Sequence, residues 1–167
     1  PGLTRSKLME QLHNVFDFSK LIIIPRLERE ETGHVDLLVK LADPETVLVT
    51  HASGPNRANL QQAAEIFRRS TNASGQPYRI FELPNPPLYL NWGVYPVWRS
   101  YTNSLTVNGR VLVPVFGIPS DAQALGQHLR RASHGMQIDA TMLPAGRQRA
   151  LRHAALANDA PHAEIAN

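Results

Sequence analysis

One arrangement of residues occurs twice in this chain of 167 residues and constrains the fold more than any other feature. In the first copy, the apolar alternation of residues 33–41, the turn at 43–45 and the apolar run 46–50 predict a β-hairpin. A helix is predicted over residues 59–69, where apolar residues recur at helical spacing, and a strand over 78–83. The first copy is therefore a ββαβ unit.

The second copy repeats this order about 65 residues later, counted between the two hairpin turns at Asp43 and Asn108. Strands 105–107 and 111–113 flank Asn108-Gly109, a strong hairpin signal because both residues tolerate positive φ. Ser120 is the predicted N-cap of a helix that runs to residue 131, and a strand is predicted over 136–142.

A helix over residues 6–14 and a strand over 21–25 precede the two units and match the end of a third. The predicted fold class is therefore α/β, built from two and a half ββαβ units. Units of this kind bury their apolar faces against their neighbours, so an open array exposes surface and invites self-association. The first seven residues hold neither an initiator Met nor a signal-peptide core, and we expect a fragment of a longer product.

The predicted domain covers residues 1–145, and an Ala- and Arg-rich tail covers 146–167. Between the units, residues 83–101 hold four prolines and both tryptophans, Trp92 and Trp98. We expect an ordered functional loop there, although the tryptophans would also serve to close the ends of the core.

Composition excludes several classes of protein. The chain has no cysteine, which excludes disulfides, thiolate-ligated metals and thiol chemistry from its own residues. No apolar run approaches membrane-spanning length, and we expect a soluble, cytoplasmic protein without membrane contact. His51, His128 and His134 lack metal-ligand spacing and are predicted to be exposed, so neither a metal nor another cofactor is expected.

A net charge of +3 raises the question of nucleic-acid binding. The basic pairs at 68–69 and 130–131 fall on predicted amphipathic helices, where they indicate solvated polar faces, and no nucleic-acid partner is expected.

His34 and Asp36 are the candidate site residues. In a strand their side chains would share one face, while Val35 and the alternate residues up to Leu41 would form the apolar face. A reachable imidazole beside a carboxylate suits proton transfer and cation binding.

Three motifs occur in a fixed order around this pair: T-G-H-V-D at 32–36, S-Y-T-N at 100–103 and N-G-R-V-L-V-P at 108–114. This succession, over residues 3–142, resembles the agmatine deiminase and bacterial peptidylarginine deiminase family. The resemblance implies a five-bladed α/β propeller (pentein-type) of ββαβ units. It also implies that His34 is the general acid and base, that Asp36 binds the substrate guanidinium, and that a cysteine thiolate attacks it.

The sequence departs from the family at that thiolate. Where the family ends in a Gly-rich segment with H-C, this chain offers His153-Ala154, or else its tail is unrelated. The leading hypothesis is a fragment or degenerate member of a deiminase acting on agmatine, as in putrescine biosynthesis, or on peptidyl arginine, inactive by itself. The alternative is a non-catalytic module that binds a cationic ligand or a partner chain.

Overall fold

The computed structural model describes residues 2–16, 18, 20–131 and 137–142. The helices are α1 (Arg5–Val15), α2 (Arg57–Arg68) and α3 (Ser120–Arg131), with a short 3₁₀ helix at Val35–Leu37. The strands are β1 (Val39–Asp43), β2 (Thr46–Thr50), β3 (Arg79–Leu83), β4 (Tyr89–Asn91), β5 (Tyr95–Val97), β6 (Leu105–Val107), β7 (Arg110–Val115) and β8 (Gln137–Met142).

Two three-stranded sheets share one connectivity. β1 pairs antiparallel with β2, and β2 pairs parallel with β3 after the crossover through α2. β6, β7, α3 and β8 repeat this arrangement. The predicted ββαβ repeat and the α/β class are confirmed, whereas closure into a five-bladed ring stays a prediction.

Helix α2 closes the first unit with the face that its sequence predicts. Leu60, Ala63, Ala64 and Phe67 are all buried, because residues three and four apart lie on one side of a helix. They pack with Val47 and Val49 of β2 in the first core cluster. Every residue of β2 is buried, which suits a central strand covered on both faces.

The two units share apolar surface. Leu48 and Leu83 of the first unit lie in one buried cluster with Val111 and Val113 of the second, together with Tyr101 and Ala124. In β7 the buried residues alternate, since Val111, Val113 and Val115 are 5% exposed or less. The loop before β6 is therefore held between the two units.

The strand predicted at 21–25 is wrong. Among the described residues no strand pairs with this segment, and a strand needs a ladder partner. Burial still alternates along this segment. Ile22 and Ile24 pack against the first core cluster, whereas Ile23 is 47% exposed.

Residues 83–101 were predicted to form an ordered loop, and part of this segment is regular. β4 and β5 form a small antiparallel hairpin, whose turn places Trp92 and Gly93 at φ of 51° and 74°. Trp98 packs against the first core cluster and so closes its end, but Trp92 is 83% exposed. The two tryptophans thus have different environments.

No helix within the described part of the chain is long and apolar enough to cross a membrane. The tail at 146–167 and His134 lie outside the described residues.

Candidate functional site

The turn that presents His34 is organised by Glu30. The Glu30 carboxylate accepts hydrogen bonds from the amides of Thr32, Gly33 and His34 and from the Thr32 hydroxyl. These bonds, the Thr32 hydroxyl foremost, lower the pKa of Glu30 from 4.5 to about 2. Gly33 sits at φ 73°, which glycine adopts without strain.

The strand predicted from residue 33 is wrong, because β1 begins only at Val39. Val35–Leu37 form a 3₁₀ helix instead, and the Leu38 amide donates to the Val35 carbonyl at 3.0 Å. Leu37, Leu38 and Val39 are buried in succession, whereas Val35 is 55% exposed, so burial does not alternate as a strand requires.

His34 and Asp36 therefore do not share the face of one strand. His34 is the exposed N-cap residue of the 3₁₀ helix, and Asp36 is its half-buried second residue. With three residues per turn, side chains two positions apart in such a helix point in different directions. Their nearness comes from sequence adjacency, and the roles assigned to them stay predictions.

Two buried hydroxyls bind the backbone of this short helix, and a third links them. Thr102 Oγ1 donates to the Asp36 carbonyl at 2.7 Å, and Thr50 Oγ1 donates to the Leu37 carbonyl at 2.9 Å. Ser100 Oγ lies 2.6 Å from Thr102 Oγ1 and 2.9 Å from Thr50 Oγ1. The S-Y-T-N segment is thereby joined to the helix that carries Asp36.

Lys40 is a cation of β1 that interacts electrostatically with Asp36. Its Nζ donates to the Ser104 carbonyl at 2.6 Å. Burial lowers the pKa of Lys40, and attraction to the Asp36 carboxylate opposes that shift. Asp36 therefore lies within the electrostatic reach of a half-buried ammonium group.

Two contacts of Tyr101 with helix α3 of the second unit anchor the same segment. The Tyr101 hydroxyl donates to Asp121 Oδ1 at 2.7 Å, and burial raises its pKa. His128 was predicted to be exposed, which is wrong: it is 3% exposed and its Nε2 lies 3.0 Å from the Tyr101 carbonyl. Since a carbonyl only accepts, Nε2 carries the proton. Helix α3 turns this side chain inward beside Ala124.

An open cleft of about 720 Å³ adjoins the S-Y-T-N segment. Its wall contains Leu37, Tyr89, Asn91, Val97, Trp98, Arg99, Ser100, Asn103, Pro114 and Phe116. Arg99 is the charged residue of this wall, and its guanidinium carbon lies 5.2 Å from the ring centroids of both Tyr89 and Phe116. Leu37 brings the 3₁₀ helix to the cleft, although the side chains of His34 and Asp36 are not part of its wall.

Sequence reasoning assigned no role to the hydroxyls of Thr50, Ser100 and Thr102 or to Asn103. It did single out the S-Y-T-N segment, which holds the last three of these residues. The described residues include no group of His, Cys, Asp and Glu side chains that would hold a metal ion. His51 is exposed, as predicted, and pairs with Glu82 at 2.7 Å.

The sequence model of the Porphyromonas-type peptidyl-arginine deiminase family matches residues 1–146. The chain belongs to this family. The resemblance inferred from the three motifs is confirmed, and the deiminase relatives extend to the curated agmatine deiminases. Agmatine deiminase of Pseudomonas fluorescens (strain SBW25) is 32% identical over 146 residues, which cover 74% of this chain and 40% of that protein.

Solved structures show the same fold. Agmatine deiminase of Enterococcus faecalis has a TM-score of 0.70 at 22% identity, covering 84% of this chain and 44% of that one. An agmatine deiminase of C. jejuni with substrate bound has a TM-score of 0.64 at 19% identity, covering 83% and 41%. This deiminase-family chain spans about two fifths of the curated relatives that it matches.

Proposed function

We propose that this chain supplies the guanidinium-binding and proton-transfer part of a deiminase site. Asp36 binds the flat cation, and His34 transfers protons beside it. Family membership supports the class of reaction, which converts a guanidinium group into a ureido group with release of ammonia. Agmatine and peptidyl arginine are the two proposed ligands, since each carries a guanidinium.

The observation that carries the proposal is the state of the Asp36 carboxylate. Within the described residues no group donates a hydrogen bond to it, although its own main chain is firmly held. A carboxylate accepts a guanidinium through two parallel hydrogen bonds, which orients the central carbon for attack. An immobilised backbone with an available carboxylate suits this role.

His34 is placed for exchange of protons with solvent and ligand. It is exposed, and Glu30 fixes the turn before it without occupying its ring. In the proposed reaction its imidazolium donates a proton to the departing ammonia, and the neutral ring then accepts one from the attacking water. The amidine intermediate of this class needs a thiolate, and the chain has no cysteine. We therefore propose that the isolated chain binds guanidines without turning them over.

Isothermal titration calorimetry of the chain with agmatine tests the proposed guanidinium binding. Asp36→Asn removes the charge at constant shape and is expected to lower the affinity at least about tenfold. Asp43→Asn is the matched control, since Asp43 is a half-buried carboxylate at the far end of β1. Butane-1,4-diamine, which lacks the guanidinium, is expected to bind more weakly than agmatine. Equal binding of agmatine by all three proteins would refute the assignment.

An ammonia-release assay with agmatine and with arginine peptides tests the proposal that the isolated chain does not turn guanidines over. No turnover above the uncatalysed rate is expected from the chain alone. Turnover that disappears in His34→Gln would show that this chain works without a thiol, and would contradict the proposed mechanism.

The five-bladed ring implied by the family resemblance is also part of the proposal. We propose that the two units belong to a five-bladed ring, because Leu48 and Leu83 of one unit already share a buried cluster with Val111 and Val113 of the next. No separate observation favours the alternative of a module that has no part in a deiminase site.

A further inference from the structure

We infer that Thr50, Ser100 and Thr102 are positioning residues that set where Asp36 stands relative to the cleft. These three residues, the hydroxyl cluster, are 3%, 4% and 1% exposed. Their effect on ligand binding rests on the function proposed above. Their effect on the backbone does not.

The bond pattern follows from counting protons. Each hydroxyl has one proton to donate. Those of Thr50 and Thr102 go to the carbonyls of Leu37 and Asp36. Ser100 therefore donates to one of these two hydroxyl oxygens, and its own oxygen accepts from the Thr102 amide at 3.2 Å.

These bonds satisfy carbonyls that the helix itself leaves open. A 3₁₀ helix of three residues ends before its last carbonyls find partners within it. Asp36 and Leu37 occupy the end of this helix, and Leu37 is buried. A buried carbonyl without a donor is costly, so losing a hydroxyl favours a shift of the helix.

The hydroxyl cluster also joins the two repeat units. Thr50 ends β2 of the first unit, while Ser100 and Thr102 precede β6 of the second. Lys40 adds a second connection through the Ser104 carbonyl at 2.6 Å. Asn103, which lies in the cleft wall, falls between the two connected residues. The separation of Asp36 and Asn103 is thus fixed on both sides.

Valine substitutions test this role because valine keeps the shape of threonine and removes the hydroxyl. Thr50→Val and Thr102→Val remove one carbonyl donor each. Thr46→Val is the matched control: Thr46 is 2% exposed at the other end of β2, and its hydroxyl accepts from Arg79 at 3.1 Å. Thr102→Ser restores the hydroxyl.

Hydrogen exchange of the Leu37 and Leu38 amides is the first measurement, since both donate within the short helix. Exchange at least about tenfold faster is expected in Thr50→Val and Thr102→Val, with wild-type rates in Thr46→Val and Thr102→Ser. Wild-type rates in both cluster variants would overturn the inference.

Agmatine titration is the second measurement. Thr102→Val is expected to weaken binding about tenfold, and Thr102→Ser to restore it, at a melting temperature close to that of Thr46→Val. Unchanged affinity despite faster exchange would also overturn the positioning role. If the wild-type chain does not bind agmatine at all, the proposed function fails, and the exchange rates alone decide whether the cluster holds the helix.

Discussion

At the scale of single residues, the candidate site is held by groups that fix the main chain around His34 and Asp36. Glu30 holds the turn on one side, and the hydroxyls of Thr50 and Thr102 hold the helix on the other. Neither function is visible in the H-x-D spacing, because both act through backbone amides and carbonyls.

The Glu30 turn is expected to respond to acid. Because folding lowers the pKa of Glu30 from 4.5 to about 2, its contribution to the turn is complete above pH 4.5 and is lost as the pH falls towards 2. The amide resonance of His34, followed by NMR against pH, should therefore show a midpoint near 2. Glu30→Gln should abolish this transition, whereas Glu31→Gln, which changes the exposed neighbour, should retain it. A midpoint near 4.5 in the wild type would contradict the bonding described.

His128 gives a separate pH dependence. Burial, with Lys40 nearby, lowers its pKa from 6.5 to about 4 against the opposing bond to the Tyr101 carbonyl. The unfolded chain binds a proton below pH 6.5 that the folded chain refuses until about pH 4, so stability falls across this window. His128→Gln keeps a donor and removes the titration. Between about pH 7.5 and 4.5, the wild type should lose roughly 2 kcal/mol more unfolding free energy than this variant. Equal losses in urea denaturation would contradict the assignment.

At the scale of elements, helix α2 fastens the first unit. Phe67 is 7% exposed and meets Tyr78 edge-on, with ring centroids 5.7 Å apart. Phe67→Ala should destabilise the chain by about 3–5 kcal/mol, because it removes a buried ring and leaves a cavity. The exposed Gln62→Ala on the same helix is the control and should change stability by less than about 0.5 kcal/mol. Urea denaturation distinguishes the two, and similar losses would contradict the packing.

Periodicity predicted the helices and the two hairpins, but it also predicted a strand at 21–25, where one face packs on the core and no ladder forms. Helix α3 runs over 120–131 as expected, and Asn108-Gly109 form the predicted turn with φ of 49° and 74°. The pattern failed where tertiary contacts decide. Residues 35–37 were predicted as part of an alternating strand, but they form a 3₁₀ helix whose last two carbonyls accept hydrogen bonds from the hydroxyls of Thr102 and Thr50.

The sequence singles out the residues of the candidate site but not the geometry that the structure gives them. His34, Asp36 and the S-Y-T-N segment stand out in the sequence because of their order along the chain. The Thr102 hydroxyl donates to the carbonyl of Asp36, 66 positions earlier in the chain, and no local pattern encodes such a contact. The inward turn of His128 likewise depends on Tyr101 reaching α3.

At the scale of the whole molecule, two like-built units meet at a shared core, and the candidate site lies where they are joined. Hydroxyls and Lys40 connect the helix of the first unit to the loop that opens the second. The function proposed for this deiminase-family chain requires that a guanidinium group binds at this junction.

An NMR titration of the isotopically labelled chain with agmatine tests that claim most directly, because it shows where the ligand lies. We predict saturable amide shifts concentrated at residues 34–38 and 102–104, and their loss in Asp36→Asn. Shifts concentrated at Glu82 or on another distant surface, or none at ligand concentrations of about 10 mM, would contradict the account.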